Sequence, residues 1–300
     1  MRNGLLSLWR RVARKFRRSV MVPLHAASER FWIRYGWGPL PVLVYQVGKV
    51  GSSTIYYSLK AAGVNCEHVH RIVPENIERI AQERRNAGLP VKDERLGLAL
   101  NDRLQRRRDK VRVVTMVREP VSRNISAFFQ NLADYYGGDP LGSIPVDEAI
   151  RRFLDEYPHH VPIEWFDTEF ARATGISVFD YPFPHADQWM KIIEGRFEIL
   201  ILRVEAPDRV KKEAVEAFLG IGEIDLVRTN VGEGKEYASL YNDFRRQVRL
   251  PEEYVDRLLN STYSRHFYSG AELEEIRNSW IRKDGGVMPV PMGGSGTEDE

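Results

Sequence analysis

The sequence predicts an α/β fold with a central, mainly parallel sheet flanked by helices. Two observations carry this. Apolar, β-branched runs recur as short strands at 42–47, 64–70, 111–117 and 197–204, and amphipathic helical stretches separate them. The runs VLVYQV, VRVVTMV and FEILILRV are predominantly apolar, as strands covered on both faces should be.

Val42 to Val47 is the first strand. It stops at Gly48-Lys49-Val50-Gly51-Ser52-Ser53-Thr54. A helix follows, with Ile55, Tyr56 and Leu59 on one face and Gly63 as its stop signal. Strand, tight Gly/Ser turn and helix form a cradle for a phosphate. Backbone N–H groups point at the anion, and the helix dipole favours negative charge there. An ordinary NTPase loop has its Lys late, beside the hydroxyl that holds magnesium. Here Lys49 precedes Gly51 and the hydroxyls follow, which argues against that class.

Val64 to His70 is the second strand. Residues 74–110 are charged and helical in tone, crossing back to the third strand at Val111 to Val117. That strand ends in Arg118-Glu119-Pro120, with a helix from about Val121 to Leu132. Proline at the helix entry costs little, because its missing N–H would be unpaired anyway. Arg118 leaves the end of a parallel strand, where ligands bind in open α/β sheets. Arg123 and Ser126 follow in REPVSRNISAFF. A guanidinium fork and a hydroxyl could hold one phosphate from two sides. A helix at Val146–Tyr157 comes next. Residues 158–190 read as aromatic and irregular. After the fourth strand the chain is mostly helical, at 207–219, 237–248, 251–260 and 271–282.

Composition bounds the rest. The chain has 300 residues, 43% of them hydrophobic and 29% charged, enough for a sizeable core. Cys66 is the only cysteine, so no intramolecular disulfide or Cys-rich zinc site can form. This suits a reducing compartment, the cytoplasm. Seven histidines show no metal-binding spacing, so no metal is expected. Residues 1–18 hold seven Lys/Arg and no acid, leaving 37 basic against 42 acidic residues in the rest, a net of −5. No nucleic-acid partner is expected from that balance.

The basic leader, MRNGLLSLWRRVARKFRRSV, places Leu5, Trp9, Val12, Phe16 and Val20 at three- and four-residue steps. Residues 1–20 are therefore expected to lie on an anionic membrane surface, peripheral on the inner face, and not to span it. Three segments are expected: a basic amphipathic piece at 1–35, a single α/β domain at 36–283 and a disordered tail at 284–300.

The two phosphate segments together resemble the sulfotransferases that use 3′-phosphoadenosine-5′-phosphosulfate. VGKVGSST is similar to their 5′-phosphosulfate loop, with Lys49 at the family lysine and Gly48 where many members have proline. Arg118, Pro120, Arg123, Ser126 and Phe128 match their 3′-phosphate segment in register. EWFDTEFARATGISVFDYPF, ILILRVE, NVGEGKEYASLY and RHFYSGAELEEIRNSW resemble a bacterial branch of capsular polysaccharide synthesis or sulfotransferase-like proteins.

The resemblance implies a three-layer, P-loop-like fold with a helical C-terminal region. It implies a sulfuryl transfer to an acceptor hydroxyl on a glycan or glycolipid, with no metal. Gly48, Lys49, Gly51, Ser52, Ser53, Thr54, Arg118, Arg123 and Ser126 would bind the nucleotide, Lys49 also acting in catalysis. For the general base, His70 is expected, being nearest the C-terminal end of the second strand. His68 shares its face, while Glu67 points the other way. His159, His160 and His185 are more distant alternatives, and Glu205 is expected in a structural ion pair. Lys235 and Tyr237 flank a Gly-rich loop, read as ordinary surface. Trp165, Phe166, Phe170, Phe179, Tyr181 and Phe183 are expected in the core rather than stacked on a sugar. The competing readings are a divergent P-loop kinase and a non-catalytic nucleotide-binding protein of envelope polysaccharide synthesis.

Overall fold

A computed structural model describes residues 40–281, except 93, 137–143 and 228–236. The expected membrane-binding leader, the disordered tail and Lys235 lie outside the described residues.

In chain order the elements are β1 (Val42–Tyr45), α1 (Ser52–Ala61), β2 (Cys66–Val69), α2 (Pro74–Asn86), α3 (Arg95–Arg106) and β3 (Val111–Val117). Next come α4 (Pro120–Gln130), the short α5 (Leu132–Tyr136), α6 (Val146–Glu156) and α7 (Val161–Trp165). A π-helical turn (Phe166–Phe170), α8 (Ala171–Thr174) and a 3₁₀ turn (Val178–Asp180) lead to β4 (Trp189–Glu194) and β5 (Phe197–Arg203). The chain then runs through α9 (Asp208–Leu219), α10 (Ala238–Gln247), α11 (Glu252–Leu259), α12 (Thr262–Phe267) and α13 (Gly270–Ile281).

Five strands form one sheet in the order β2-β1-β3-β5-β4. The four expected strands are its parallel part, slightly shorter at β1 and β2 than their apolar runs. α7, the π-helical turn and α8 correct the reading of 158–190 as irregular, and β4 adds a fifth strand that pairs antiparallel with β5 through a tight turn at Gly195. Its faces alternate, with Met190 and Ile192 buried and Lys191 and Ile193 exposed. Such an edge strand lacks the continuous apolar run that marks its neighbours.

Alternation along β3 sorts the two faces. Val111, Val113 and Val117 join Leu43, Tyr45, Ile199 and Ile201 beneath α3, the π-helical turn and α12. Val114 and Met116 join Val44, Leu200 and Leu202 beneath α1 and α9. This is a three-layer arrangement. A separate core, built on Phe128, Phe153 and Phe244, gathers α4, α6, α10 and α11 to one side. The aromatic residues Trp165, Phe166, Phe170 and Phe183 are buried in the first of these cores, as expected. No described helix is long and apolar enough to cross a membrane.

The first strand leads to β2 on one side, and the chain then crosses to β3 on the other. The connections leaving β1 and β3 thus diverge at their C-terminal ends. That divergence opens a crevice, the usual ligand position in such sheets.

A buried carboxylate secures this corner. Glu169 is 2% exposed and accepts from Tyr45 Oη (2.6 Å), Ile72 N (2.6 Å), Val73 N (3.0 Å) and Asn76 Nδ2 (2.6 Å). It ties β1 to the start of α2, whose N-terminus has no other side-chain cap. Glu169→Ala would strand four buried donors. The expected cost is roughly 3–5 kcal/mol in chemical denaturation, since unpaired buried groups cost far more than a hydrogen bond contributes. A loss under about 1 kcal/mol would contradict this role.

Candidate functional site

The turn between β1 and α1 runs through left-handed backbone. Gly48, Lys49 and Gly51 have φ of 88°, 63° and 76°. Lys49 pays about 1–2 kcal/mol for that conformation, strain typical of a functional turn.

Four successive carbonyls of this turn are held from behind. His70 Nδ1–H donates to Gln46 O (2.9 Å). Arg123 donates through Nη2 to Val47 O and through Nε to Gly48 O, each at 3.1 Å. Arg118 Nη1 donates to Lys49 O at 3.2 Å. In a planar trans peptide the N–H opposes the C=O. Carbonyls turned inward therefore present the N–H groups of residues 47–50 outward. α1 begins just beyond, with Gly51 at its N-cap and no side-chain cap. Outward N–H groups and an uncapped helix start make a nest for an anion. Ser53 is half-buried at this edge, and Thr54 N–H bonds back to Gly51 O (3.2 Å).

Gly51 also lets the turn approach β5. A Cβ there would lie 2.6 Å from Val204 Cγ2. At Gly48, the left-handed φ of 88° is one that proline, locked near −65°, cannot adopt. Proline could not replace Gly48 in this turn without changing its backbone.

The second segment lies across the crevice. Arg118 is half-buried. Its Nε–H donates to Ser122 Oγ (3.0 Å), and its backbone N–H and C=O both bond Tyr263 Oη, at 3.1 and 2.9 Å. Ser122 and Ser126 lie one helical turn apart on the less buried stripe of α4. Glu119, buried, caps α4 by accepting from Val121 N (2.8 Å) and Ser122 N (2.7 Å). Burial pushes its carboxyl up.

Arg123 is placed differently from the expected nucleotide contact. It is 5% exposed, and besides the two turn carbonyls it donates to Tyr157 Oη (2.9 Å) and Asn124 Oδ1 (3.2 Å). Its guanidinium is committed to shaping the turn from behind.

His70 stands over the turn. A Cβ on Gly48 would lie 3.6 Å from His70 Cε1 and 4.0 Å from Nε2. Because Nδ1 must carry the proton donated to Gln46 O, Nε2 holds the lone pair in the neutral ring. Burial by neighbouring atoms is the largest cause lowering the His70 pKa, although the residue as a whole is exposed. His68 shares the same face, its ring 4.9 Å from that of His70. Burial, then the neighbouring His70, lowers it to about 4. His68 Nε2 lies 3.0 Å from Ser52 Oγ. A nucleophilic Ser–His pair is a poor reading of that contact, because Ser52 is 4% exposed and a base with so low a pKa is weak.

The other candidates fall away from the crevice. His159 is buried against Phe153, with Nδ1 3.0 Å from Tyr254 Oη. His160 is exposed at the start of α7. His185 Nε2 bonds His266 O. Glu67 lies 3.8 Å from Lys60. Glu205 accepts from Glu119 N and Tyr268 Oη and lies 3.8 Å from Arg203, in keeping with its expected ion pair. Tyr237 packs on Phe129. Among the described residues, no three His, Cys, Asp or Glu side chains converge in a metal-binding group.

Sequence reasoning missed Gln46, Ser122 and Tyr263. Ser122 had a signal, one turn before Ser126. Gln46 had one too, as a polar residue closing an apolar strand. Tyr263 comes from 145 residues away and had none.

Residues 159–269 match a family model described as "Putative capsular polysaccharide synthesis protein". No curated protein and no solved structure matches. The matched segment, just over a third of the chain, begins after both anion segments. It supplies their supports: Tyr263 on Arg118, Glu205 on Glu119, and Trp165, whose Nε1–H donates to His70 O (3.2 Å).

Gly51→Ala should destabilise the protein by about 2 kcal/mol, from the Val204 clash and the left-handed φ. Adding Val204→Ala should recover part of that loss in thermal unfolding. No recovery would mean that the two side chains do not meet.

Proposed function

We propose that this protein is a sulfotransferase that takes 3′-phosphoadenosine-5′-phosphosulfate as donor and a glycan or glycolipid hydroxyl as acceptor, on a P-loop-like fold. The observation that carries the reading is the direct link between two anion cradles. Arg118 of the second cradle holds the Lys49 carbonyl of the first. Two phosphate sites facing one crevice suit a nucleotide phosphorylated at both ends. The family match supports polysaccharide synthesis as the setting.

The residues present fit such a donor. The outward N–H groups of the turn, with Ser52, Ser53 and Thr54, would hold the 5′ end. Arg118 and Ser126 would hold the 3′-phosphate, with Ser122 fixing the Arg118 fork. The donor, when bound, supplies an activated sulfuryl group. Lys49 stabilises charge that grows on the departing phosphate oxygen, an effect stronger in a water-poor site. His70 Nε2 takes the acceptor's hydroxyl proton, while the Gln46 carbonyl holds its tautomer.

A divergent kinase would need ATP with magnesium. Calorimetric titration separates the two. Adenosine 3′,5′-bisphosphate should bind more tightly than ATP with magnesium, and Arg118→Ala should weaken it about tenfold to a hundredfold. Preference for ATP with magnesium would overturn the reading. Lys49→Ala should abolish transfer while binding persists, which a purely binding protein would not show.

His70→Ala should lower turnover by roughly 10²–10⁴ with little change in donor affinity. Because its pKa is lowered, His70 is the neutral base at pH 7. In the wild type, turnover should therefore fall only as pH drops below the ordinary histidine value of 6.5. A flat acid limb, or a limb unchanged in His70→Ala, would place the base elsewhere.

A further inference from the structure

Behind the turn, two polar partners meet one ring nitrogen. Gln46 is fully buried at the end of β1, and Ser52 opens α1 with 4% exposed. His68 Nε2 lies 3.0 Å from Ser52 Oγ and in hydrogen-bond contact with the Gln46 side-chain amide. Tyr56 stacks on the imidazole at 5.4 Å, and His70 stands edge-on at 4.9 Å, so the ring is fixed in place. A neutral ring nitrogen that accepts has one lone pair. Gln46 N–H and Ser52 O–H therefore compete for it. Gln46 Oε1 is buried with no partner among the described residues, so it is the contact with His68 that holds this amide.

We propose that Gln46 and His68 form a positioning pair for the anion turn, acting through Ser52. Without ligand, the Ser52 hydroxyl rests on His68 Nε2. When an anion enters the turn, the hydroxyl rotates to it, and the Gln46 amide keeps the His68 lone pair satisfied. The exchange leaves no buried group newly unpaired, so Ser52 changes partner at little cost. Nε2 accepts in the Nδ1–H tautomer of His68, and its lowered pKa keeps the ring neutral near pH 7. The pair acts on anion affinity and not on group transfer. It rests on reading the turn as an anion site, whatever nucleotide brings the anion.

The test is a double-mutant cycle on the intact protein, with inorganic sulfate and adenosine 3′,5′-bisphosphate as probes. Gln46→Leu, which leaves His68 Nε2 unpaired once Ser52 turns to the anion, should weaken both about three- to tenfold, and by less than about twofold in the Ser52→Ala background. His68→Gln, which keeps an acceptor, should stay within about twofold of wild type. Nitrogen-15 spectra of the ring give a ligand-free arm. Ser52→Ala together with Gln46→Leu removes both donors that stabilise the neutral ring, so the His68 pKa should rise. Equal losses in both backgrounds, or an unmoved His68 pKa, would overturn the pair while leaving the anion turn intact. No binding of either probe would overturn the anion turn and the pair with it.

Discussion

The site depends on the direction in which four carbonyls point. Gln46, Val47, Gly48 and Lys49 turn their oxygens into the protein, where His70, Arg123 and Arg118 receive them. Everything an anion would meet on this turn is the reverse side of that choice. Arg123 holds two of the four. A buried guanidinium costs desolvation, which its four hydrogen bonds offset. Removing it would leave two carbonyls unpaired and release the peptide planes they fix. The turn is thus shaped by one guanidinium, Arg123, whose bonds are all made within the protein, while Arg118 ties the turn to the end of β3.

That constraint explains why distant chain segments gather here. Glu169 anchors the strand that feeds the turn, and Tyr263 brackets the backbone of Arg118. Both lie in the segment with family resemblance to capsular polysaccharide synthesis proteins. The turn and the residues that hold it come from the first half of the chain, and Tyr157, Trp165 and Tyr263, which brace those residues, from the second. Such a division makes the site a property of the whole sheet and its helical layers.

Much of this was legible in the sequence. Most of the parallel strands were readable because burial on both faces leaves mainly apolar, β-branched runs, and the turns because glycine and hydroxyl residues interrupt them. His68 and His70 were correctly placed on one face by strand alternation alone. Three features were not legible. The edge strand at Trp189 carries an alternating pattern that its aromatic surroundings obscure. Arg123 looks like a ligand by spacing, yet only the fold reveals that its fork faces the turn's carbonyls. Tyr263 reaches Arg118 across the chain, and no local pattern encodes a contact of that range.

The central claim is that the two strand-end segments form one site for a doubly phosphorylated nucleotide. A crystal structure with adenosine 3′,5′-bisphosphate tests it most directly. The account predicts the 5′-phosphate on the backbone N–H groups between Gly48 and Ser53, and the 3′-phosphate against Arg118 and Ser126. It also predicts that Arg123 keeps its bonds to Val47 and Gly48. A nucleotide bound elsewhere, or one whose 3′-phosphate points away from Arg118, would contradict it.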